Sequence, residues 1–410
     1  MADPTIRPLN AAILVKLETT EGIDAVPVAA DAIPFEGDYS YNYPFGSETS
    51  NEVVGGLVTG APLIVGQAAQ LTINFRLKGA GPSAVYTASV KPPHHAIYAM
   101  AGKRPQFTAA VSAQALTAGT TSSATLGASF PATAQALRGM PLILSGGPAA
   151  GRWPLVTDYT AGRVATLADT FGSALGTTDQ AALPANWLYA GTSPADAAAR
   201  LTDHPSATVY IYEDGTLLKF VGCRATLSLA AQAARAGIVT ATITGTFAGQ
   251  SDASIPAAAI GAAHAAPTLN MGAGGINPAF LVNRAGLPIS SFTIDDSGAI
   301  ESPEDPNTPY GFGSGVIGQR SPQLTMDPLK TTIATRDALA QLSAGSIFPA
   351  GVRFGSVVGN RIGIVLPQAT PASLEAGTRG ALRSENQTLR ALNPGRDSLG
   401  RDGDWTLCFY

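Results

Sequence analysis

The clearest pattern in the chain is an alternation of apolar and polar side chains with a period of two. The segment 237–247 places apolar residues on one face and threonines on the other, namely Val239, Ala241, Ile243 and Phe247 against Thr240, Thr242, Thr244 and Thr246. A period of two predicts a strand with one buried face. The last printed residues repeat the pattern, with Trp405, Leu407 and Phe409 alternating with Thr406, Cys408 and Tyr410, and predict another strand.

Turn signals join such runs into hairpins. In the segment 208–222 two runs rich in β-formers flank Asp214-Gly215. Glycine accepts a positive φ at no steric cost, so this pair predicts a tight hairpin. The segment 352–366 has the same hairpin-like composition.

Only two segments have helical start and stop signals. Residues 92–102 have two prolines in front and Gly102 behind, which predicts a helix of about two turns. Residues 335–345 have Thr335 as a candidate N-cap, Asp337 in the first turn and Gly345 as the stop. The chain therefore reads as an all-β protein with short flanking helices.

One phrase occurs twice, as IVGQAAQLTINF at 64–75 and VIGQRSPQLTMDP at 316–328. A loop-rich stretch precedes each occurrence, at 43–62 and 295–315, and a predicted helix and hairpin follow it. Two related β domains in tandem explain this order. The residues that mark the repeat are Gly66, Gln67, Gln70, Leu71 and Thr72 in the first occurrence, and Gly318, Gln319, Gln323, Leu324 and Thr325 in the second.

The two occurrences differ in the distance from helix to hairpin. This distance is short from Gly345 to Val352 but very long from Gly102 to Thr208. Surface loops accept insertions at a modest entropic cost, so we expect a small β module at 106–190. The predicted first copy is then 1–105 with 191–255, and the predicted second copy is 256–410, after an Ala/Pro-rich boundary at 251–267 and a Gly-rich linker or turn at 270–278.

Composition narrows the classes of function. The 410 residues are 45% hydrophobic and 13% charged, with a net charge of -4 and no block of Lys or Arg, so the electrostatic footprint of a nucleic-acid binder is missing. The first residues lack a signal-peptide pattern, and no run of about 18 apolar residues occurs, which predicts a soluble chain without a membrane partner. Cys223 and Cys408 are expected to be buried thiols.

Candidate chemistry is sparse. The four histidines are scattered, and we expect His94 and His95 to have a structural or capping role. The acidic segments 294–307 and 400–405 do not match a calcium loop and are expected to be ordinary turns. No nucleophile elbow with a plausible triad, phosphate-binding loop or Cys-x-x-Cys occurs, so we expect no catalysis, no cofactor and no metal.

Three segments together resemble a known family. They are ILVKLETTEGIDAVPVAADAI at 13–33, where an apolar strand runs into Glu-Thr-x-x-Gly and Ala-Val-Pro, the hairpin and strands at 209–249, and GGPAAGRWPLVTDYTAGRVATLADTF at 146–171. The first two resemble tail tube (major tail) proteins of long-tailed, siphovirus-type bacteriophages. The third resembles a small β module of phage structural proteins. The C-terminal third is connected to this likeness mainly through the internal repeat.

The resemblance implies a β-sandwich or barrel with a flanking helix, whose sheets join side by side into rings that stack into a hollow tube. A ring pairs every sheet edge with a neighbour and so removes exposed edges. A duplicated domain would give a pseudo-hexameric ring from a trimer, by head-to-tail contacts that close. An outward orientation is expected for the insert, because a module of that size would obstruct a channel.

In that family the loop before the Gly-Gln strand reaches a neighbouring ring. The matching residues here are Phe45, Gly46, Ser47, Glu48, Asn51, Glu52, Val53 and Val54. The equivalent residues of the second copy are Glu301, Ser302, Glu304, Asp305 and Asn307.

The implied function is structural: a virion tail tube, assembled in the cytoplasm of the infected bacterium, through which the genome passes at DNA ejection. Its partners would be further copies of itself, a tape measure protein and tail completion or baseplate proteins. An acidic or neutral lumen leaves DNA mobile, and the loop residues Glu48, Glu52, Glu301, Glu304 and Asp305 are candidates for it.

Two other classes stay open. A fibre, baseplate or adhesin-type carbohydrate-binding β-sandwich would present exposed aromatic side chains, and Tyr39, Tyr41, Tyr43 and Phe45 could supply them, although a strand burying one face explains them equally well. A β-rich glycan hydrolase would need paired carboxylates on strand ends, and the sequence offers none that can be placed there with good reason.

Overall fold

A computed structural model describes residues 5–53, 55, 57–58, 60–257, 263–270, 276–393 and 395–410. The predicted all-β class is confirmed. Strands hold 44% of the residues, and within the described ranges the α-helices are three short segments.

The first copy begins with strands on either side of the predicted loop and then reaches its helix. They are β1 (Ala11–Leu17), β2 (Ala32–Ile33), β3 (Ser40–Tyr41), β4 (Phe45–Glu48), β5 (Leu63–Gly66), β6 (Ala69–Arg76) and α1 (His95–Met100). Gly102 ends α1 with φ +68, as predicted.

The predicted insert, 106–190, begins and ends inside two strands that pair with each other. The elements are β7 (Lys103–Thr108), β8 (Val111–Ala115), β9 (Ala118–Gly119), β10 (Ser123–Thr125), β11 (Ile143–Ser145), β12 (Val156–Tyr159), β13 (Val164–Leu167), β14 (Gln180–Leu183) and β15 (Asn186–Thr192). β7 and β15 form an antiparallel ladder, with Thr108 opposite Asn186, so 109–185 extends from the end of a hairpin. The strands β8 to β14 form two small sheets of their own.

The first copy resumes with a helical turn that the sequence did not predict and three long strands. These are α2 (Arg200–Asp203), β16 (Ala207–Glu213), β17 (Thr216–Gln232) and β18 (Ile238–Asp252). The hairpin predicted at Asp214-Gly215 is confirmed, because Glu213 pairs with Thr216 and both turn residues have positive φ, +41 and +111.

The second copy supplies the remaining elements. They are β19 (Phe280–Val282), β20 (Ala285–Gly286), β21 (Ser291–Asp295), β22 (Ile300–Glu301), β23 (Val316–Ile317), β24 (Gln323–Met326), α3 (Ala338–Ser343), β25 (Phe348–Phe354), β26 (Ile362–Arg379), β27 (Leu382–Ala391) and β28 (Arg401–Phe409). Gly345 stops α3 with φ +56. The predicted N-cap was wrong: Asp337, not Thr335, accepts a hydrogen bond from the Ala340 amide at 2.8 Å.

The two copies share one order of paired strands. In the first copy the order is β1, β16, β17, β18, β6, and in the second it is β19, β25, β26, β27, β24. The Gln-Leu-Thr strands also occupy matching registers, because Thr72 lies opposite Thr242 and Thr325 lies opposite Thr388.

One strand joins the copies. β21 pairs on one edge with β24 of its own copy and on the other edge with β17 of the first copy, so that Ile294 faces both Leu324 and Leu229. One large hydrophobic core follows this continuous sheet and contains side chains of both copies, among them Ile243 and Leu324.

A second core fills the insert and reaches the last strand. Trp405, Leu407 and Phe409 of β28 belong to the large core, while Cys408 and Tyr410 belong to the core of the insert. The strand predicted from the alternation is present, but both of its faces are buried because the insert covers its polar side. Cys223 and Cys408 are both buried, as expected.

The expectation of a turn at 400–405 was wrong, because these residues begin β28. Asp402 and Asp404 are buried and face Arg320, whose guanidinium nitrogens lie 2.6 and 3.4 Å from their carboxylates. Asp404 also lies 3.8 Å from the buried Lys103 ammonium, which is 3.0 Å from Asp296. These charges are paired with each other, which is what permits their burial.

Candidate functional site: two hairpins and two sheet edges

The first predicted contact loop is a β-hairpin. β4 and β5 pair with Phe45 opposite Gly66 and Glu48 opposite Leu63, so the predicted residues Phe45, Gly46, Ser47 and Glu48 form its outgoing strand. Gln67 closes the base, since its Nε2 donates to the carbonyls of Tyr43 (2.8 Å) and Phe45 (3.0 Å).

The far end of this hairpin is apolar and exposed. Val53, Leu57 and Val58 are at least 82% exposed, and Leu63 and Ile64 on the returning strand are 62% and 63% exposed. The predicted residues Asn51 and Glu52 are also exposed, and Val54 lies outside the described residues. Apolar side chains grouped on one exposed element are typical of a surface that another protein covers.

The second predicted loop is also built on a short hairpin. β22 and β23 pair, with Glu301 opposite Val316, and Glu304 forms a single bridge with Phe312. The predicted residues Glu301, Glu304 and Asn307 are exposed, whereas Ser302 and Asp305 are half-buried. Asp305 Oδ1 accepts the backbone amide of Asn307 at 2.9 Å and closes a turn.

This second hairpin lies on the first copy of the same chain. The ring of Tyr310 contacts Phe45 and Phe247 edge to face, at 5.4 and 5.9 Å between centroids. The Gly315 amide donates to the Gly222 carbonyl at 3.1 Å. The turn of the second predicted loop therefore touches the base of the first.

Glycine in the repeated phrase permits this contact. A Cβ on Gly66 would lie 2.1 Å from the backbone oxygen of Tyr310, far inside van der Waals contact. At the equivalent Gly318 the nearest atom, the Ala299 carbonyl oxygen, would be 3.4 Å away. The same residue type thus has a close neighbour in the first copy and room in the second.

A buried arginine fastens the docked hairpin. Arg224 donates from Nη1 to the Gly315 carbonyl and from Nε to the His204 carbonyl at 2.9 Å. Its Nη2 lies 3.0 Å from Glu21 Oε2, and this hydrogen bond holds the pKa of Glu21 below its usual range. Sequence reasoning missed Arg224, because it stands in an apolar strand far from the loop that it holds.

The rest of the repeated phrase forms one strand in each copy. Gln70, Leu71 and Thr72 lie in β6, and Gln323, Leu324 and Thr325 lie in β24. Leu71 and Leu324 are buried in the large core. The backbone oxygen of Gln319 accepts the Ala299 amide at 3.4 Å, at the base of the second hairpin.

Two strand edges at opposite ends of the continuous sheet face solvent. Among the described residues, the segment 370–379 of β26 pairs with β27 on one edge and with no strand on the other. β3 likewise pairs with β6 on one edge. Glu375 and Ser40 are exposed on these two edges. A free strand edge presents unpaired amides and carbonyls to any matching strand.

The alternating aromatic side chains at 39–45 are partly packed against the large core. The hydroxyls of Tyr39 and Tyr41 donate to Glu213 at 2.7 and 2.9 Å, and burial raises the pKa of both tyrosines. Tyr43 and Phe45 are about half exposed, at 50% and 53%. Two of the four aromatic side chains that a glycan-binding face would use are therefore held by Glu213 and partly buried.

The adjacent histidines are structural and neither caps α1 through its side chain. His94 stacks on Phe75 and donates from Nε2 to the Pro34 carbonyl at 2.7 Å. His95 Nδ1 lies 2.8 Å from the hydroxyl of Tyr189. Burial lowers the pKa of each imidazole to about 4.

Among the described residues, no three His, Cys, Asp or Glu side chains are grouped as a metal site requires. A helix of the length and apolarity needed to cross a bilayer is likewise missing from that part of the chain. A cleft of about 370 Å³ borders Arg320, Asp402 and Asp404, whose charges are already paired with one another.

No known protein-family model matches the chain. No curated protein is significantly similar to it in sequence. A proposal for its function therefore depends on the strand pairing, the hairpins and the resemblance described above.

Proposed function

We propose that this chain is a structural protein that joins edge to edge into rings, and that the rings stack into a hollow tube, as in the phage tail tube proteins that its sequence resembles. The observation that carries the proposal is the junction inside the chain. There the second copy adds β21 to the edge of β17, while no described residue pairs with the corresponding edges at the two outer ends.

Such a unit is suited to head-to-tail polymerisation. Each further chain would repeat the contact that already joins the two copies. Such a head-to-tail contact rotates each chain relative to the previous one, and the chains form a closed ring when a whole number of these rotations makes 360°. Pseudo-six-fold closure by a duplicated unit takes three chains. The free edges then disappear, which removes the surfaces that otherwise invite uncontrolled aggregation.

Stacking is assigned to the first hairpin. Val53, Leu57 and Val58 project from the fold without cover in the single chain, whereas the second hairpin is held on the first copy by Arg224 and Tyr310. Of these two hairpins, as far as the structure describes them, the first is therefore the one with a free apolar end with which to reach an adjacent ring.

The tube would serve as a passive conduit for DNA in the virion tail. The net charge of -4 and the exposed acidic residues of both hairpins support a lumen that repels phosphate. The resemblance further supports a tape measure protein inside the tube, and tail completion or baseplate proteins at its ends, as partners.

Shortening the first hairpin tests the proposal. A variant in which residues 50–61 are replaced by Asn-Gly keeps β4 and β5, and its circular dichroism should match that of the wild type. We expect the wild type to form long particles in sedimentation velocity and the variant to stop at single rings. As a matched control, Leu382→Ser removes a side chain that is 57% exposed on another hairpin and should still form tubes.

Normal tubes from the shortened variant would contradict the assigned stacking contact. Monomers from the wild type at every concentration would contradict the proposed function itself.

A further inference from the structure

The junction between the copies has a defined register. On β17, residues 228–232 lie opposite 295–291 of β21, with Ser228 facing Asp295 and Gln232 facing Ser291. The second copy thus lends a strand to the first, and this strand remains paired with its own β24.

The strand equivalent to β21 in the first copy is the segment around β3. Ser40 lies opposite Thr72, and Thr293 lies opposite the matching Thr325, so Ser40 corresponds to Thr293. The backbone supports this alignment beyond β3. The Asn42 amide donates to the Gln70 carbonyl at 3.0 Å, and at the equivalent position of the second copy Asp295 lies opposite Gln323.

The edge equivalent to 228–232 in the second copy is 375–379. Thr242 lies opposite Thr72, and Thr388 lies opposite the matching Thr325. Thr240 and Asn386 each precede these threonines by two residues, so they hold matching positions. Ser228 lies opposite Thr240, and Glu375 lies opposite Asn386. The edge that accepts β21 in the first copy therefore has its counterpart on β26.

We infer that 375–379 of one chain pairs antiparallel with 42–38 of the next chain, with Glu375 opposite Asn42, Gly377 opposite Ser40 and Arg379 opposite Asp38. This inference deepens the proposed function and rests on it. Within the described residues neither edge has a partner in its own chain. The register also places the opposite charges of Arg379 and Asp38 across the contact, where Asp38 would join the ion pair that Arg379 forms with Asp327 at 3.3 Å in its own chain.

The hairpins support the same partner. When the repeated phrases are aligned, Leu63 corresponds to Gly315 and Ile64 corresponds to Val316. Gly315 is buried against Gly222 of the first copy, whereas Leu63 and Ile64 are exposed. Docking of the base of the next chain's first hairpin on β26 and β27, as Gly315 docks on Gly222, would cover both side chains and leave the far end of that hairpin for the adjacent ring.

Gly318 provides the space for such docking. Its equivalent, Gly66, lies directly under the backbone of Tyr310, but Gly318 is exposed and its nearest neighbour would be 3.4 Å from an added Cβ. A glycine at 318 is thus explained if a second chain passes over it.

Crosslinking of a double cysteine variant tests the register. Ser40→Cys and Glu375→Cys place two thiols on the same face at diagonal positions, about 7–8 Å apart between chains in the inferred pairing. Both side chains are exposed, so the fold should be kept, and the native Cys223 and Cys408 are buried away from reagent. A short bismaleimide of similar span should join chains into dimers and trimers, with the ladder ending at three.

The register control uses Ser40→Cys with Ser373→Cys, which is exposed on the same strand two residues further along. This places the thiols roughly 13 Å apart along the strand, beyond the reagent. A tenfold lower yield of joined chains is expected. Equal yields from the two variants, or no joined chains from the first, would overturn the pairing.

Electron microscopy of the same samples separates this failure from that of the proposed function. Rings without the expected crosslink would overturn the edge pairing and leave the tube proposal standing. Solitary particles without crosslinks would overturn both.

Discussion

Replacing Gly66 by alanine should destabilise the isolated chain, whereas the same change at Gly318 should not. Both glycines occupy the same place in the repeated phrase, and neither has a positive φ, so backbone strain does not distinguish them. The difference comes from the neighbour. At Gly66 a Cβ meets the backbone oxygen of Tyr310 at 2.1 Å, and at Gly318 the nearest atom is at 3.4 Å.

The size of the loss in stability caused by Gly66→Ala depends on how far the second hairpin must move. Ordinary contact needs a separation of about 3.4 Å or more, so the Tyr310 backbone must retreat by more than 1 Å. Such a shift loosens the contacts of the Tyr310 ring with Phe45 and Phe247. Overpacking of this kind costs about 1–3 kcal/mol. Alanine also restricts the unfolded chain, but it does so equally at both positions.

Urea denaturation at low protein concentration, followed by tryptophan fluorescence, measures both variants in the same unassembled state. We expect the free energy of unfolding to fall by about 1–3 kcal/mol for Gly66→Ala and by less than about 0.5 kcal/mol for Gly318→Ala. Equal losses at the two positions would refute the argument that the second hairpin presses on Gly66.

Two further predictions concern the histidines and the helix cap. Burial lowers the pKa of His94 to about 4, while an unfolded histidine titrates near 6.5, so protons favour unfolding and stability is lost as the pH falls through 6.5 towards 4. Between pH 7 and pH 5 this amounts to about 2 kcal/mol for His94, and denaturation of His94→Gln should show a pH dependence smaller by that amount; an unchanged dependence would contradict the burial argument. Asp337→Ala should cost about 1 kcal/mol through loss of the 2.8 Å cap on Ala340, measured by thermal unfolding. Thr335→Ala is the control for the cap, and an equal loss from it would show that Asp337 is not the capping residue.

Local signals in the sequence predicted local structure well. The alternation at 237–247 corresponds to β18, and Asp214-Gly215 forms the expected two-residue turn. Gly102 and Gly345 end their helices because each adopts the left-handed conformation that glycine permits. These features depend on a few neighbouring residues, which is why a pattern reveals them.

Features that depend on distant contacts were not predictable in the same way. The polar side of β28 resembles a solvated face in sequence, but the insert covers it. Asp402 and Asp404 have the composition of a turn, yet Arg320 allows them to be buried in a strand. Thr335 and Asp337 are both good N-cap residues, and the chain path alone decides between them.

The candidate contact surfaces also differ in whether the sequence alone predicts them. The repeat predicts the loops at 43–62 and 295–315, and each range contains the outgoing strand of a short hairpin whose returning strand follows directly after it, at 63–66 and 316–317. Residues 375–379 carry no distinctive pattern, and their role as a free edge follows only from the strand registers of the two copies. The apolar residues Val53, Val54, Leu57 and Val58 within the loop 43–62 are the signal available in the sequence.

The central claim, that one chain supplies two sectors of a ring, is tested most directly by electron microscopy of the concentrated protein with averaging of end-on views. The account predicts hollow, six-lobed rings with three protrusions of the size of the 106–190 insert, one for each chain. Six protrusions on a ring, or solid particles without a lumen, would contradict it.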